Sequence, residues 1–177
     1  IDLPSTSNSK QTSSNTLAAT THTMIIIADS GGSKIDWRLI ENNGTIGQAS
    51  GPGFNPYYQP IEDLRNSVQG LLLPKIHEQV KKVFFYGAGV SSEKNQETIK
   101  SAFLEFFPAA HVEIGWDLLA AARAMCGHEH GIACIMGTGS NSCLYDGEKI
   151  IGNVANLGWI LADEGSGANI GRKFLVD

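Results

Sequence analysis

Ile25-Ile26-Ile27-Ala28-Asp29-Ser30-Gly31-Gly32-Ser33-Lys34-Ile35-Asp36-Trp37-Arg38-Leu39-Ile40 decides the architecture of this chain. Ile25 to Ala28 is an apolar, largely β-branched run, the pattern of a buried strand. Asp29 to Gly32 then supplies the polar and glycine residues of a tight turn. Ile35 to Ile40 alternates apolar with polar side chains, which places one face of a second strand on a core. Asn42-Asn43-Gly44 has hairpin chemistry, because Asn and Gly tolerate the left-handed backbone of such turns, and Thr45 to Ala49 continues as a third strand. The stretch therefore predicts a three-stranded antiparallel meander.

Downstream, Gly51-Pro52-Gly53-Phe54-Asn55-Pro56 breaks into a loop. From Pro60 the apolar spacing turns helical, with Ile61, Leu64, Val68, Leu71, Leu72, Ile76 and Val80 on one face and Pro74 set to bend or split the helix. Lys82 to Tyr86 reads as a strand ending in Gly87-Ala88-Gly89, Ser92 to Phe107 as a helix, Val112 to Gly115 as a strand and Asp117 to Met125 as a helix. After Gly127-His128-Glu129-His130-Gly131 the opening theme returns, with strands at Ile132 to Met136, Cys143 to Tyr145 and Lys149 to Gly152 and a helix from about Gly167. The expected fold is α/β, a mixed sheet in the order β-β-β-α-β-α-β-α followed by the start of a second domain of the same kind. The expected domains are residues 24–127 and an incomplete 128–177.

Upstream, Ile1 to Thr23 is rich in Ser, Thr and Asn and too poor in large apolar side chains to fold alone. It reads as a disordered tail, with Met24 as the native start. A net charge of -5, with 13 Lys and Arg in no basic run, argues against a nucleic-acid surface, which needs clustered positive charge. No stretch approaches the ~20 apolar residues of a membrane span, and no signal pattern opens the chain. Cys126, Cys134 and Cys143 show neither a CxxC pair nor a metal-ligand spacing with His, and are read as reduced thiols of a cytoplasmic protein.

Gly31, Gly32, Ser33 and Lys34, at the first turn, suit a phosphate cradle: glycines let amides approach an anion and Ser adds a donor. Asp29 beside them could hold Mg²⁺ through water. An ordinary hairpin would use the same residues. Gly137, Thr138, Gly139, Ser140 and Asn141 occupy the equivalent turn of the second meander, and two cradles at matched positions could grip one triphosphate from both sides. Asp117, opening a helix at a strand end, suits either an N-cap or a general base. In Gly158-Trp159-Ile160-Leu161-Ala162-Asp163-Glu164-Gly165-Ser166-Gly167 an aromatic and two acids precede a helix, as a sugar-binding loop would require; a capped helix with a core Trp is the plain alternative. Asn55 could bond a sugar hydroxyl or simply make an Asn-Pro turn.

These segments, with Tyr86-Gly87-Ala88-Gly89 and Asp117-Leu118-Leu119-Ala120-Ala121-Ala122-Arg123, resemble N-acetylglucosamine kinase and its bacterial relatives from Met24 to Asp177, in motif order. That family shares the actin/hexokinase fold, built on ribonuclease H-like domains, with the ATPase activators of benzoyl-CoA reductase and 2-hydroxyacyl-CoA dehydratase. The resemblance implies an ATP- and Mg²⁺-dependent kinase for a small amino sugar. It implies Gly31 to Ser33 and Gly137 to Gly139 as phosphate loops, Asp29 near the metal and Asp117 as catalytic base. Asn55, Asn141, Trp159 and Asp163 would surround the sugar, with Ser140 beside them. The partners implied are the sugar and ATP, with no nucleic acid or membrane and a homodimer as the candidate assembly. Two residues depart from the family: Ile35 replaces a hydroxyl residue and Ala162 a glycine, which should lower activity. The adenine-binding glycines are expected beyond residue 177, so this stretch alone should hold ATP poorly. The alternative functions are an ATPase activator, which needs a cysteine-held iron–sulfur cluster, and a non-catalytic sugar sensor.

Overall fold

A computed structural model describes residues 23–154, 158 and 163–176. The opening meander is present as β1 (Thr23–Ser30), β2 (Lys34–Glu41) and β3 (Ile46–Pro52). β4 (Gln79–Gly87) and β5 (His111–Trp116) complete a five-stranded sheet in the order β3-β2-β1-β4-β5. β2 and β3 run antiparallel, whereas β1, β4 and β5 are mutually parallel and end on the same side. The expected mixed sheet is thus observed. β1 begins at Thr23, whose hydroxyl donates to Asn42 Oδ1 at 2.6 Å, so the strand takes in the last residue of the expected tail.

Helix α1 (Ile61–Ser67) passes into a π-helical turn at Val68–Leu72 and a 3₁₀ turn at Leu73–Lys75. Pro74 lacks the amide needed to continue, and the helix breaks where the sequence indicated. Val80, placed on that helix by its spacing, lies instead in β4, fully extended and buried. Helix α2 (Glu93–Phe106) is capped by Ser92, whose side chain accepts the Asn95 amide. Its Ile99 and Phe103 face the sheet, and the Phe103 ring lies 6.2 Å from Trp37 and 5.6 Å from Phe85, centroid to centroid. Ile26, Ala28, Ile35, Trp37, Leu39, Val83, Phe85, Leu64, Val68 and Leu72 close this first core. The Trp37 indole N–H is buried there without an acceptor among the described residues, a cost of roughly 1–3 kcal/mol.

Strand alternation puts the opposite set, Asp29, Asp36, Tyr86, Glu113 and Gly115, on the other face, where helix α3 (Asp117–Cys126) lies. Leu118 and Ala122 of α3 are buried with Ala133, Cys143 and Tyr145 in a second, smaller core. That core belongs to a second antiparallel meander, β6 (Gly131–Met136), β7 (Ser140–Tyr145) and β8 (Ile150–Asn153), in the order β6-β7-β8. The repeat read from the sequence is therefore structural. Helix α4 (Gly167–Val176) follows. Cys143 is buried, Cys126 half-buried and Cys134 exposed, so Cys134 faces away from the core on which its strand packs. Among the described residues no helix is long and apolar enough to cross a membrane.

Candidate active site

The ends of the parallel strands collect the first group of expected site residues, where open α/β sheets place ligands. Ser30, fully buried at the end of β1, is the node. Its hydroxyl donates to the Phe54 carbonyl and accepts the Phe54 amide, each at 3.0 Å, and its carbonyl accepts the Ala88 amide at 2.9 Å. The Ser30 side chain thereby fastens the Gly53-Phe54-Asn55 loop, and its backbone carbonyl the Gly87-Ala88-Gly89 turn, to the first glycine turn. A Cβ on Gly53 would come 2.6 Å from the Lys34 amide and would land on the Gly31 carbonyl. Only glycine lets these two loops approach so closely.

Within the first turn the Gly31 amide donates to the Lys34 carbonyl at 2.9 Å. The following amides, Gly32 and Ser33, donate to no other described residue. The Lys34 ammonium pairs with Asp36 Oδ2 at 2.9 Å, with both side chains exposed. Asp36 also accepts the Ser50 hydroxyl at 2.5 Å, and this bond, with that from Lys34, holds its pKa below the usual carboxylate range. Asp36 stands opposite Asp29 in the β1–β2 register. Burial first, and then the Asp36 charge, pushes the Asp29 pKa up.

Asp117 is not the N-cap of α3. Trp116 takes that position, and Asp117 is the first helical residue, its Oδ1 accepting the Leu118 amide at 2.8 Å. Burial raises its pKa, backbone hydrogen bonds from Leu118 oppose the rise, and the Asp29 carboxylate adds to it. Asp29 and Asp117, 88 positions apart by numbering, thus share one electrostatic environment. Asn55 Oδ1 accepts the Tyr57 amide at 3.0 Å, and its side chain is seated over Gly89 in the turn after β4, where no Cβ could fit.

The second group surrounds the β6–β7 turn. The Gly137 amide donates to the Gly139 carbonyl at 2.8 Å, and the Gly137 and Thr138 carbonyls accept the first amides of α4, from Gly167 at 2.9 Å and Ala168 at 3.2 Å. As in the first turn, two consecutive amides, here Thr138 and Gly139, donate to no other described residue. The Ser140 amide donates to Asp163 Oδ1 at 3.1 Å, and buried Asp163 has φ +65°, a backbone few side chains adopt. Asn141 Oδ1 accepts the Ser142 amide at 2.8 Å and Asn153 Nδ2 at 2.9 Å. Ser166, fully buried, caps α4 by accepting the Asn169 amide at 3.1 Å. Trp159 and Ala162 lie outside the described residues.

Sequence reasoning missed three participants. Asp36 follows from counting the hairpin: a Gly31–Ser33 turn that pairs Ser30 with Ile35 must pair Asp29 with Asp36. Ser30 stood in plain view within the motif, but its bond to a loop 24 residues away has no local signature. Arg123 lies in a segment singled out for its family resemblance, and its grip on Tyr86 and Glu113 is set by tertiary placement. A cleft of 520 Å³ lined by Glu113, Arg123, His128, Tyr145 and Glu148 opens at the far end of α3 from Asp117. Neither glycine turn contributes to its lining.

No protein-family model matches the chain, and no curated protein matches it. Solved structures do. A protein from Porphyromonas gingivalis named "putative N-acetylglucosamine kinase" shares 41% identity over 86% of this chain, with a TM-score of 0.80. One of the same name from Chromobacterium violaceum shares 19% over 86%, with a TM-score of 0.64. The ADP-bound MreB5 of Spiroplasma citri shares 11% over 75% of this chain and 51% of its own, with a TM-score of 0.54, which speaks for the fold alone. The chain covers 55% of each of the first two, about half the length of the structures it matches.

Proposed function

We infer function from one premise: the chain belongs to the N-acetylglucosamine kinase-like family of the actin-like ATPase superfamily. The activity proposed is transfer of the γ-phosphoryl group of ATP to a hydroxyl of a small amino sugar, with N-acetylglucosamine as the first candidate. The observation that carries it is Asp117, a half-buried carboxylate whose pKa burial raises, placed directly after β5 at the parallel strand ends, the end at which β1 leads into a glycine turn whose Gly32 and Ser33 amides donate to no other described residue.

In this reading the Gly32 and Ser33 amides, together with Thr138 and Gly139, donate to phosphate oxygens, where fixed dipoles stabilise charge without reorganising. The Asp117 carboxylate takes the proton of the attacking sugar hydroxyl as its oxygen bonds to phosphorus and ADP departs. A raised pKa suits this, since a stronger base accepts the proton more readily. Asn55, Ser140, Asn141, Trp159 and Asp163 orient the sugar. Lys34 pairs with Asp36 through one of its three N–H donors and keeps the others for phosphate.

Mg²⁺ fits the residues in one way. Among the described residues no cluster of three His, Cys, Asp or Glu could hold a metal unaided. Kinases carry Mg²⁺ on substrate phosphates with one or two carboxylates and water, and Asp29, destabilised by burial and by its acidic neighbour, gains from such a cation. When bound, the ion neutralises phosphate charge. The test is ADP release by the full-length protein with MgATP and N-acetylglucosamine. Release that depends on the sugar supports the reading; calorimetric sugar binding without any release overturns it in favour of a sensor.

A further inference from the structure

Helix α3 is held by packing to the second sheet, yet Asp117 at its start has to act at the ends of the first. Leu118 and Ala122 are buried against Ala133, Cys143 and Tyr145, and no α3 residue joins the first core. The peptide bond from Trp116 at the end of β5 and the Leu119 side chain beside Gly115 hold the first residues of α3 to the first sheet. Toward the other end of the helix the tie to that sheet is polar. Arg123 Nη1 donates to the Tyr86 hydroxyl and to Glu113 Oε1, both at 2.6 Å, and so reaches β4 and β5 at once. The guanidinium carbon also lies 5.8 Å from the Tyr86 ring centroid, within cation–π range.

Tyr86 is itself immobilised. Its ring covers Gly115, where any Cβ would come within 2.8 Å of it, and it pairs in register with Asp29 on one side and Gly115 on the other. The clamp therefore grips the first sheet at two points, Tyr86 level with Asp29 and Glu113 level with Ile27. Arg123 and Asp117 are six residues apart on α3, about 9 Å along a helix axis, so a grip at one end fixes the position of the other.

We propose that Arg123, held between Tyr86 and Glu113, is a positioning residue that fixes α3 and thereby sets the Asp117 carboxylate against Asp29. The proposal rests on the kinase reading for its consequence and not for its geometry. Arg123 and Glu113 side chains are each more than a third exposed, and ion pairs so placed add little stability. Their effect falls on alignment, where an error near 1 Å costs up to ~100-fold in rate.

Arg65 supplies the control. It pairs with Glu105 at 2.6 Å and Glu62 at 3.0 Å, similar chemistry that joins only α1 and α2. In the full-length protein, Arg123→Met should lower kcat roughly 10- to 100-fold with KM for sugar and ATP little changed, and Arg123→Lys should recover part of the loss. Arg65→Met should change neither. Crystal structures of the wild type and Arg123→Met should show Asp117 displaced from Asp29 in the variant. If Arg123→Met does not fold, Tyr86→Phe, which deletes one oxygen, carries the same expectations. Unchanged kcat with an undisplaced Asp117 overturns the clamp while leaving the kinase reading intact. A wild type that phosphorylates no amino sugar removes the kinase reading, and the Asp117 position alone then decides: displacement upholds the clamp, its absence overturns it.

Discussion

Burial, and after it the carboxylate of Asp29 on strand β1, raises the pKa of Asp117, the first residue of helix α3. Two acids brought to one place at a strand edge need a purpose, and in the kinase reading it is proton removal next to a metal-bearing phosphate. Asp117→Asn keeps the shape and removes the base. Its kcat should fall roughly 10²- to 10⁴-fold while sugar binding by calorimetry stays near wild type. Loss of binding in step with rate would mean that Asp117 holds the sugar and does not move its proton.

The same residue should make stability depend on pH. Because burial and Asp29 raise the folded pKa of Asp117, the native state keeps a proton that the unfolded chain has already lost. The resulting contribution is most favourable below the ordinary carboxylate range and declines as pH rises through the raised folded value. Asp117→Asn escapes this decline. Its Tm should match wild type in acid and exceed it at neutrality; a constant offset across the range would count against the assignment.

Gly53 has no room for a side chain between the Gly31 carbonyl and the Lys34 amide. Gly53→Ala must push the two loops apart, at a cost of about 1–3 kcal/mol. Chemical denaturation should register that loss, and nucleotide affinity in the full-length protein should drop with it. Wild-type stability in the variant would show that the loops do not close as described.

Most of the fold was legible because the chain states it locally. Ile25 to Ile27 and the alternation from Ile35 to Leu39 mark strands that any register must bury on one side, and Pro74 marks the break in its helix. Val80 misled because its spacing from Ile76 fits a helical face, although the 3₁₀ turn ends before it. Within the site, residue type foretold position better than partnership. Lys34, read as a phosphate ligand, is engaged by Asp36, and Asn55 spends its Oδ1 on the Tyr57 amide. Such partners are fixed by strand register and loop closure, which single-residue chemistry does not encode.

Asp163 combines a positive φ with a buried carboxylate that accepts the Ser140 amide. Asparagine tolerates that backbone and retains an acceptor; alanine does neither well. Asp163→Asn should therefore fold with near wild-type Tm, whereas Asp163→Ala should lose about 1–3 kcal/mol. Both should weaken sugar binding by roughly ten-fold or more if the carboxylate serves a hydroxyl. An Asp163→Asn variant with unaltered affinity would confine the residue to the loop.

The two cores draw on consecutive stretches of chain, Met24 to Val112 for the first and Leu118 to Tyr145 for the second. A ribosome therefore delivers every side chain of the first before any of the second, and that lobe can condense during translation. Between the emergence of α3 and that of β7, Leu118 and Ala122 lack the Cys143 and Tyr145 side chains that bury them.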